Sequence, residues 1–420
     1  MRAAQPTGPA VDSRRRKQLG AWYTPPALVE AIVHEVVSGL APANGRTGLI
    51  VLDPACGDGR FLRAVAEASF HPVQVVGADV DASTIAALAT FAGEWQHVDA
   101  LQHDWAGRRF DAVVGNPPFL GQMRTATSRG NSSRFGGGPY ADAAAEFLAL
   151  AVQLVRPGGR VGLVLPQSLL SSRDAAAIRA AVDAQAALQW MWWSPTLMFD
   201  ASVRVWAGVW EVGTPADVPL RRAHGREFTA VASIARPRVW SGLISDSPLA
   251  LPTGGVDGPC LGDIATFTAD FRDQYYGLVG AVGDDVDGPP LITSGLIEPG
   301  RCLWGERSTR FAKQRYDRPR VDVGSLSPAL QRWAQHRLVP KILIANQTKV
   351  IEAVFDQRGE WLPSVPVITC VTADPERVMR VLSSQEANDW VRYHAAGSGL
   401  SASAVRLSAR LLASIPLSVE

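Results

Sequence analysis

The 420-residue chain reads as an α/β protein built on a doubly wound, mainly parallel sheet. Three observations predict this. Short apolar runs alternate with helical patterns. Glycines crowd the turn that follows the first run. Acids or an asparagine close successive runs, at the strand ends where such sheets bind their ligands.

Taken in order, residues 48–55 are an apolar run ending in Asp53 and Pro54, the pattern of a buried parallel strand. Gly57 and Gly59 follow, and a helical pattern opens at Arg60. Val73 to Ala78 forms a second strand closed by Asp79, with an alanine-rich helix from Ser83. A short third strand runs to Val98 and is closed by Asp99. The fourth, Phe110 to Val114, leads into Gly115-Asn116-Pro117-Pro118-Phe119. Residues 121–139 are rich in Gly, Ser, Thr and Arg with little to bury, and a loop of that length is functional or disordered. Helical pattern resumes from Tyr140 to Leu154 and is ended by Pro157-Gly158-Gly159. Then come a strand from Arg160 to Leu165, a helix over Arg173 to Ala187, and strands over Leu188–Trp193 and Val203–Val212.

Length alone favours two domains. The expected organisation is a disordered basic arm over 1–18, a catalytic α/β domain over 19–213, a Pro/Gly-rich linker with short elements over 214–260, and a mixed α/β domain over 261–420 with a helix near Glu376 to His394.

Composition is ordinary for a globular protein, with 47% hydrophobic and 19% charged residues. The net charge of +1 neither supports nor excludes a nucleic-acid partner, because affinity depends on where the cations sit. Cys56, Cys260, Cys302 and Cys370 form no C-x-x-C pair, which argues against zinc and a disulfide framework and for a reducing cytoplasm. No apolar run reaches membrane-spanning length. Arg14-Arg15-Arg16-Lys17 reads as a solvated tail or as a DNA-backbone contact.

Asp53-Pro54-Ala55-Cys56-Gly57-Asp58-Gly59 opens the first strand–helix turn, where glycines let a ligand approach the backbone. A dinucleotide fingerprint would place a third glycine where Leu62 stands. Acids beside the glycines suit a cationic ligand better than a pyrophosphate, and S-adenosylmethionine carries a sulfonium and an ammonium. Asp79 comes 20 residues after Gly59, the spacing at which an acid accepts from ribose hydroxyls. Asp99 is placed to accept from an adenine amino group. Each acid alone is equally a turn former or helix cap.

Asn116-Pro117-Pro118-Phe119 has the residues that methylation of an aromatic amine requires. Such a nitrogen is a poor nucleophile because its lone pair is delocalised. Acceptors for its N–H groups, the Asn116 side-chain carbonyl and the Pro117 main-chain carbonyl, stabilise positive charge that develops only as the new bond forms. The prolines fix φ, and Phe119 offers a stacking face. The other reading of the tetrapeptide is a plain strand-to-loop turn. A base inside a duplex must be flipped out to reach such a site, at a cost of a few kcal/mol. Phe199, in Met198-Phe199-Asp200-Ala201-Ser202-Val203, is a candidate second wall or a core residue, and Trp192, Trp193, Trp206 and Trp210 read as sheet packing.

As an ordered set these motifs resemble the amino-methylating (N6-adenine) DNA methyltransferases of the gamma arrangement, over about residues 19–212. The resemblance implies a seven-stranded, Rossmann-like methyltransferase sheet, S-adenosylmethionine as cofactor, and a C-terminal target-recognition domain. By resemblance Gly20-Ala21-Trp22-Tyr23-Thr24-Pro25 is the N-terminal cofactor motif, with Tyr23 and Thr24 at the cofactor and Thr24 on its methionine part. Leu52 to Gly59, with Asp53, Ala55, Gly57 and Gly59, is similar to the glycine-rich motif. Asp79 is the ribose acid, Asp99 the adenine contact, and Asn116, Pro117, Pro118 and Phe119 the catalytic motif. Phe199 with Ala201 and Val203 is similar to the second base-stacking motif. In the C-terminal half Pro340 to Ile344, Asp356 with Gly359-Glu360-Trp361, and Arg406 to Leu417 look like this family's recognition regions. The partners implied are double-stranded DNA and a separately encoded restriction or defence protein. No fused nuclease is expected.

Between 301 and 349 basic residues outnumber acids, with Trp304, Phe311, Tyr316 and Trp333 interleaved; this is a backbone-contacting surface or a solvated mixed one. Arg124, Arg129 and Arg134 in the long loop, and Arg272 and Gln274 in the run Asp270 to Tyr276, are further candidates for DNA contact. Competing readings are RNA methylation at adenine N6 or guanine N2, protein glutamine methylation, for which a Tyr in place of Phe119 is usual, and a DNA-binding module with an inactive catalytic domain.

Overall fold

The structure is a computed structural model describing residues 24–43, 45–119, 133–139, 141–194, 196, 203–213, 219–235, 237, 239–244, 258–270, 272–399 and 404–417. The chain divides into two compact units, residues 1–243 and 244–420. Among the described residues no helix is long and apolar enough to cross a membrane.

The first unit is a sheet with helices on both faces. In chain order its elements are α1 (Pro26–Val37), β1 (Leu49–Asp53), α2 (Arg60–Ala68), β2 (Val73–Asp79), α3 (Ala82–Ala87), β3 (Glu94–His97), β4 (Phe110–Gly115), α4 (Ala143–Leu154), β5 (Val155–Pro166), α5 (Ala176–Gln185), β6 (Ala186–Trp193), β7 (Val205–Val212), β8 (Leu220–His224) and β9 (Thr229–Ile234). The sheet order is β3-β2-β1-β4-β5-β7-β6-β8-β9. Strands β1 to β5 pair with one another in parallel, and β7 runs antiparallel to both β5 and β6. The winding reverses between β1 and β4, so the chain leaves the middle of the sheet in both directions, as a doubly wound sheet must.

Seven strands were expected, and among the described residues the sheet has nine. Residues 220–234, read from their Pro and Gly content as linker, form β8 and β9 and continue the sheet beyond β6. Their apolar pattern is weak because β9 has no buried residue, so periodicity gave no signal. The division between units falls at 243/244.

Each face is covered for a sequence reason. Helix α1 buries Leu28, Val29, Ile32, Val33, Val36 and Val37, an apolar stripe at three- and four-residue spacing. It rests on β5 at Gly162, where a Cβ would stand 2.4 Å from a Val36 methyl. Helix α2 adds Phe61, Leu62 and Val65. The opposite face holds a T-shaped and stacked tryptophan group: Trp206 and Trp210 centroids lie 5.6 Å apart, and Trp240 lies within about 6.0 Å of both. The Trp240 indole N–H donates to Asp183 on α5. Trp192, Trp193, Trp206 and Trp210 are all buried sheet residues, as their pattern predicts.

Asp111, on β4, is fully buried and fully engaged. Its Oδ1 accepts from Arg46 at 2.7 Å, Arg156 at 2.7 Å and the Ala43 amide at 3.2 Å, and its Oδ2 accepts from the Ile50 amide at 2.7 Å. Two guanidinium groups and two amides offset the desolvation of one carboxylate.

The second unit contains a four-stranded antiparallel sheet. Its strands, with a hairpin of the same unit, are β10 (Ala265–Ala269), β11 (Thr309–Phe311), β12 (Gln314–Tyr316), β13 (Lys341–Ile344), β14 (Ala353–Asp356) and β15 (Ile368–Thr372). The sheet order is β10-β15-β13-β14. The helix expected near Glu376 to His394 is two helices, α6 (Pro375–Ser383) and α7 (Gln385–Ala395). Ser384, at φ −69° and ψ 153°, breaks the helical path, and its hydroxyl accepts from the Ala387 amide to start α7.

Lys341 and Asp356 are opposed across β13 and β14 and form a buried ion pair of 2.6 Å. The Asp356 carboxylate also accepts from the Glu360 and Trp361 amides. Gly359 has φ +69°, and a Cβ there would stand 2.5 Å from the Val339 backbone. Two separate sequence segments, Pro340 to Ile344 and Asp356 with Gly359 to Trp361, are thus one structural knot.

Candidate active site

The parallel register brings the sequence-selected residues to one edge of the first sheet. Asp53 ends β1 and pairs with Gly77, Asp79 ends β2 and pairs with His97, and Asn116 immediately follows β4. Asp99 lies two residues past β3.

The turn after β1 is held by acids and opened by glycines. The Ala55 amide donates to the Asp53 carboxylate at 3.1 Å. The Gly57 amide donates to Asp79 at 3.0 Å, and the Asp81 amide donates to its other oxygen at 2.9 Å. Gly57 and Gly59 have φ of +51° and +75°, a region other L-residues rarely adopt. No described atom lies within 4 Å of where a Gly57 Cβ would be, so the turn faces open space. Gly77 is pinched in the opposite sense, since a Cβ would meet the Trp95 ring at 2.5 Å and the Cys56 sulfur at 3.0 Å.

Thr24 belongs to the same place. It is buried, and its carbonyl accepts from the Arg60 guanidinium, which also grips Asp58 at 2.6 Å. Arg60 opens α2, so the segment before α1 is fastened to the glycine turn.

The carboxyls set the electrostatics. Burial pushes the Asp53 carboxyl up to about 8, with the negative charge of Asp79 and Asp58 adding to the shift and the Ala55 amide opposing it. Burial also raises Asp79, against the pull of the Asp81 and Gly57 amides. The Cys56 thiol is pushed well above its usual range by burial and by Asp53 and Asp79, so it is an inert packing group. A cationic ligand beside these buried carboxyls favours their ionisation and is held by it, whereas a phosphate opposes it. S-adenosylmethionine, with its sulfonium and ammonium, fits this donor set, and a pyrophosphate cofactor does not.

The tetrapeptide leaves β4 against Asp53. A Cβ on Gly115 would stand 2.6 Å from Asp53 Oδ1, so only glycine lets the strand pass the carboxyl at that point. Asn116 is partly buried, Pro117 is buried, and Phe119 packs at the rim of the α1 and α2 core. Asp99 is exposed; its carboxylate accepts from the Leu101 amide at 3.0 Å, the turn-forming role open to any strand-end Asp. Tyr23, Phe199, Ala201, Arg124 and Arg129 lie outside the described residues.

Sequence reasoning passed over Gly115, Arg60 and Glu146. The glycine directly before Asn116 was the available signal for the first. Glu146 on α4 is buried, which raises its carboxyl, and a Cβ on Gly137 would stand 2.4 Å from its Oε1. The described part of the long loop therefore packs on α4, and Arg134 from that loop donates to the Leu101 carbonyl at 2.8 Å. Among the described residues no group of three or more His, Cys, Asp or Glu could hold a metal ion.

The family described as N-6 DNA Methylase matches residues 11–210, a span that takes in the N-terminal motif and runs into β7. The chain is similar to the type II methyltransferase M.TthHB8I of Thermus thermophilus, 31% identical over 185 residues, which cover 39% of this chain and 38% of that protein. It is also similar to the release factor glutamine methyltransferase of Xylella fastidiosa, 31% identical over 151 residues, covering 33% of this chain and 54% of that one. Among solved structures, the type IIG restriction endonuclease BpuSI aligns with 95% of this chain and 59% of its own, at 14% identity and a TM-score of 0.45. The chain thus spans between about two-fifths and three-fifths of the length of these relatives.

Proposed function

We propose that this chain is a site-specific DNA methyltransferase that methylates adenine N6 with S-adenosylmethionine. The observation that carries the reading is Asn116-Pro117-Pro118-Phe119 leaving β4 beside the buried Asp53 carboxyl, at the edge where the glycine turn and Asp79 converge. The family match supports the chemistry.

In this reading Asp53, Ala55, Gly57, Gly59, Asp79 and Thr24 shape the cofactor side, with Tyr23 beside Thr24 and Asp99 at the adenine end. The cofactor supplies an electrophilic methyl on a sulfonium. The Asn116 side-chain carbonyl and the Pro117 main-chain carbonyl accept from the two N–H groups of a flipped adenine, which lets the nitrogen lone pair turn towards that methyl. With the cofactor bound, transfer of the methyl would leave the nitrogen one proton to release to solvent, and these two acceptors would hold the amine through that change. Both acceptors oppose positive charge present only during the transfer. Phe119 and Phe199 stack on the extruded base. The second unit reads the duplex as a target-recognition domain, and a separately encoded restriction or defence protein is the natural partner. The methyltransferase name carried by the Thermus relative agrees with this role.

The test is to sequence DNA from a host expressing the chain with a modification-sensitive method. N6-methyladenine confined to one motif, and lost with Asn116→Ala while cofactor binding persists, is expected. Label incorporated into RNA or protein, with none in DNA, would overturn the reading.

A further inference from the structure

The second unit contains a two-strand ribbon whose turn and central cross-strand pair both oppose its own stability. Strands β11 and β12 are joined by the two-residue turn Ala312-Lys313, with φ of +48° and +70°. Such a turn wants positive φ at both positions, which Asn-Gly supplies without strain; here an alanine and a lysine occupy it. Arg310 faces Arg315 across the ribbon. This is the pair next to the one that closes the turn, the kind in which facing Cα atoms approach to about 4.5 Å. Like charges so placed are destabilising.

The ribbon's two faces differ. Phe311 is buried in an apolar cluster with Leu278, Val321 and Ala334, its ring 5.0 Å from that of Tyr275. By strand alternation Arg310 and Arg315 point the other way, and both are exposed, as is Lys313 at the tip. None of these three cations has an ion-pair partner among the described residues. Nearby cations do have partners: Arg301 pairs with Glu306, Arg307 with Glu298 and Arg337 with Asp270, while Arg320 lies 4.7 Å over the Trp304 ring. Arg318 and Arg332 also lack an ion pair among the described residues, but on the ribbon the unpaired cations coincide with a like-charge cross-strand pair and two non-glycine residues at positive φ.

We propose that this ribbon, residues 309–316, is a DNA-contacting finger. Arg310 and Arg315 engage phosphates on one strand of a duplex while the tip at Lys313 and Gln314 approaches a groove. A two-stranded ribbon fits a major groove, and a polyanion removes the repulsion between the facing arginines. Strain and unpaired charge held against folding stability are expected where a partner, rather than the fold, supplies the compensation. This inference rests on the DNA reading above.

The test uses the full chain, a labelled mixed-sequence DNA duplex, and affinity measured across a salt series. Arg310→Gln with Arg315→Gln should weaken binding at least tenfold at low salt. The slope of log affinity against log salt should become shallower by about 1.8, two phosphate contacts at about 0.9 each. Arg310→Lys with Arg315→Lys should restore the slope. Because the neutral pair removes a like-charge contact, its thermal midpoint should equal or exceed that of the wild type, which a merely structural role would not give. Replacing the turn by Ala312→Asn with Lys313→Gly should also raise the midpoint. If the neutral variant keeps wild-type affinity and slope, the finger is wrong while the DNA reading stands. A loss of binding that comes with a lowered midpoint also overturns the finger. If the wild-type chain binds no duplex, or binds only RNA, both fall together.

Discussion

Asp53 and Gly115 lie in contact at the ends of neighbouring strands: the carboxyl of one occupies the volume that a side chain on the other would need, 2.6 Å from Oδ1 to the would-be Cβ. The cofactor side of the crevice and the start of the tetrapeptide are thus a single packed unit. Gly115→Ala must push apart β1 and β4 at that point or rotate Asp53 away from the Ala55 amide. A cost of about 1–3 kcal/mol in unfolding free energy is expected, with methyl transfer at least tenfold slower at saturating cofactor. Denaturant titration and single-turnover rates measure the two effects; an unchanged rate would show that the contact does not position the tetrapeptide.

The raised Asp53 carboxyl gives cofactor binding a pH dependence. With its titration near 8 in the folded chain and about 3.9 in an unfolded one, the folded state binds the extra proton over that interval. Stability therefore falls as pH rises from about 4 to about 8 and is level above. A cationic ligand favours the ionised carboxylate, so affinity should increase from pH 6 to pH 8 with release of a proton, visible as a buffer-dependent heat in calorimetry. Asp53→Asn should abolish that proton release and flatten the stability profile. Proton release that persists in the variant would assign it to another group.

Asp79 has a structural task in addition to any hydrogen bond to a ligand, because its two oxygens hold the Gly57 and Asp81 amides. Asp79→Ala frees both. Hydrogen bonds to a charged acceptor are worth about 1.5–3 kcal/mol each; with a part of that loss falling on the ordered turn that meets the ligand, cofactor affinity should drop about 10- to 100-fold. Asp79→Asn, which can still accept from one amide, should lie between. Equal affinity for all three proteins would remove Asp79 from the site.

In the second unit the buried Lys341–Asp356 pair makes an asymmetric prediction. Lys341→Met leaves a buried carboxylate without its counter-charge and should cost about 3–5 kcal/mol. Adding Asp356→Asn keeps an acceptor for the Glu360 and Trp361 amides and removes the stranded charge, so the double variant should recover most of the loss. Urea titration of all three proteins checks it; no recovery would mean that the knot depends on charge rather than on acceptors.

Much of the first unit was legible because parallel strands are short, apolar and closed by polar residues. Asp53, Asp79 and Asn116 could be placed from sequence since a strand end is a one-dimensional feature. Gly115 was not legible in the same way. Its importance comes from a neighbour 62 residues earlier in the chain, and register between distant strands is not written in local pattern. Strand β9 was missed because an edge strand with no buried residue lacks the apolar run that marks a central one, and β8 because its five residues include Arg221, Arg222 and His224. Lys341 and Asp356 were noticed as separate segments, yet only antiparallel pairing makes them a pair. The ribbon at 309–316 lay within a basic stretch, but that its arginines face each other depends on a turn that composition argues against.

Asp111 lies near the start of β4 and Asn116 directly follows its last residue, five residues on, which at about 3.3 Å per residue is roughly 16 Å. The remote end of β4 is clamped by Arg46, Arg156 and two amides, none of which belongs to the crevice. Loosening that clamp, as in Asp111→Asn, should leave the chemistry intact in the cold and let it fade on mild warming, before global unfolding. On the proposed function, Asp111→Asn is then a heat-sensitive allele that changes no residue placed at cofactor or base, and DNA methylation in its bearers should thin out generation by generation after a temperature shift.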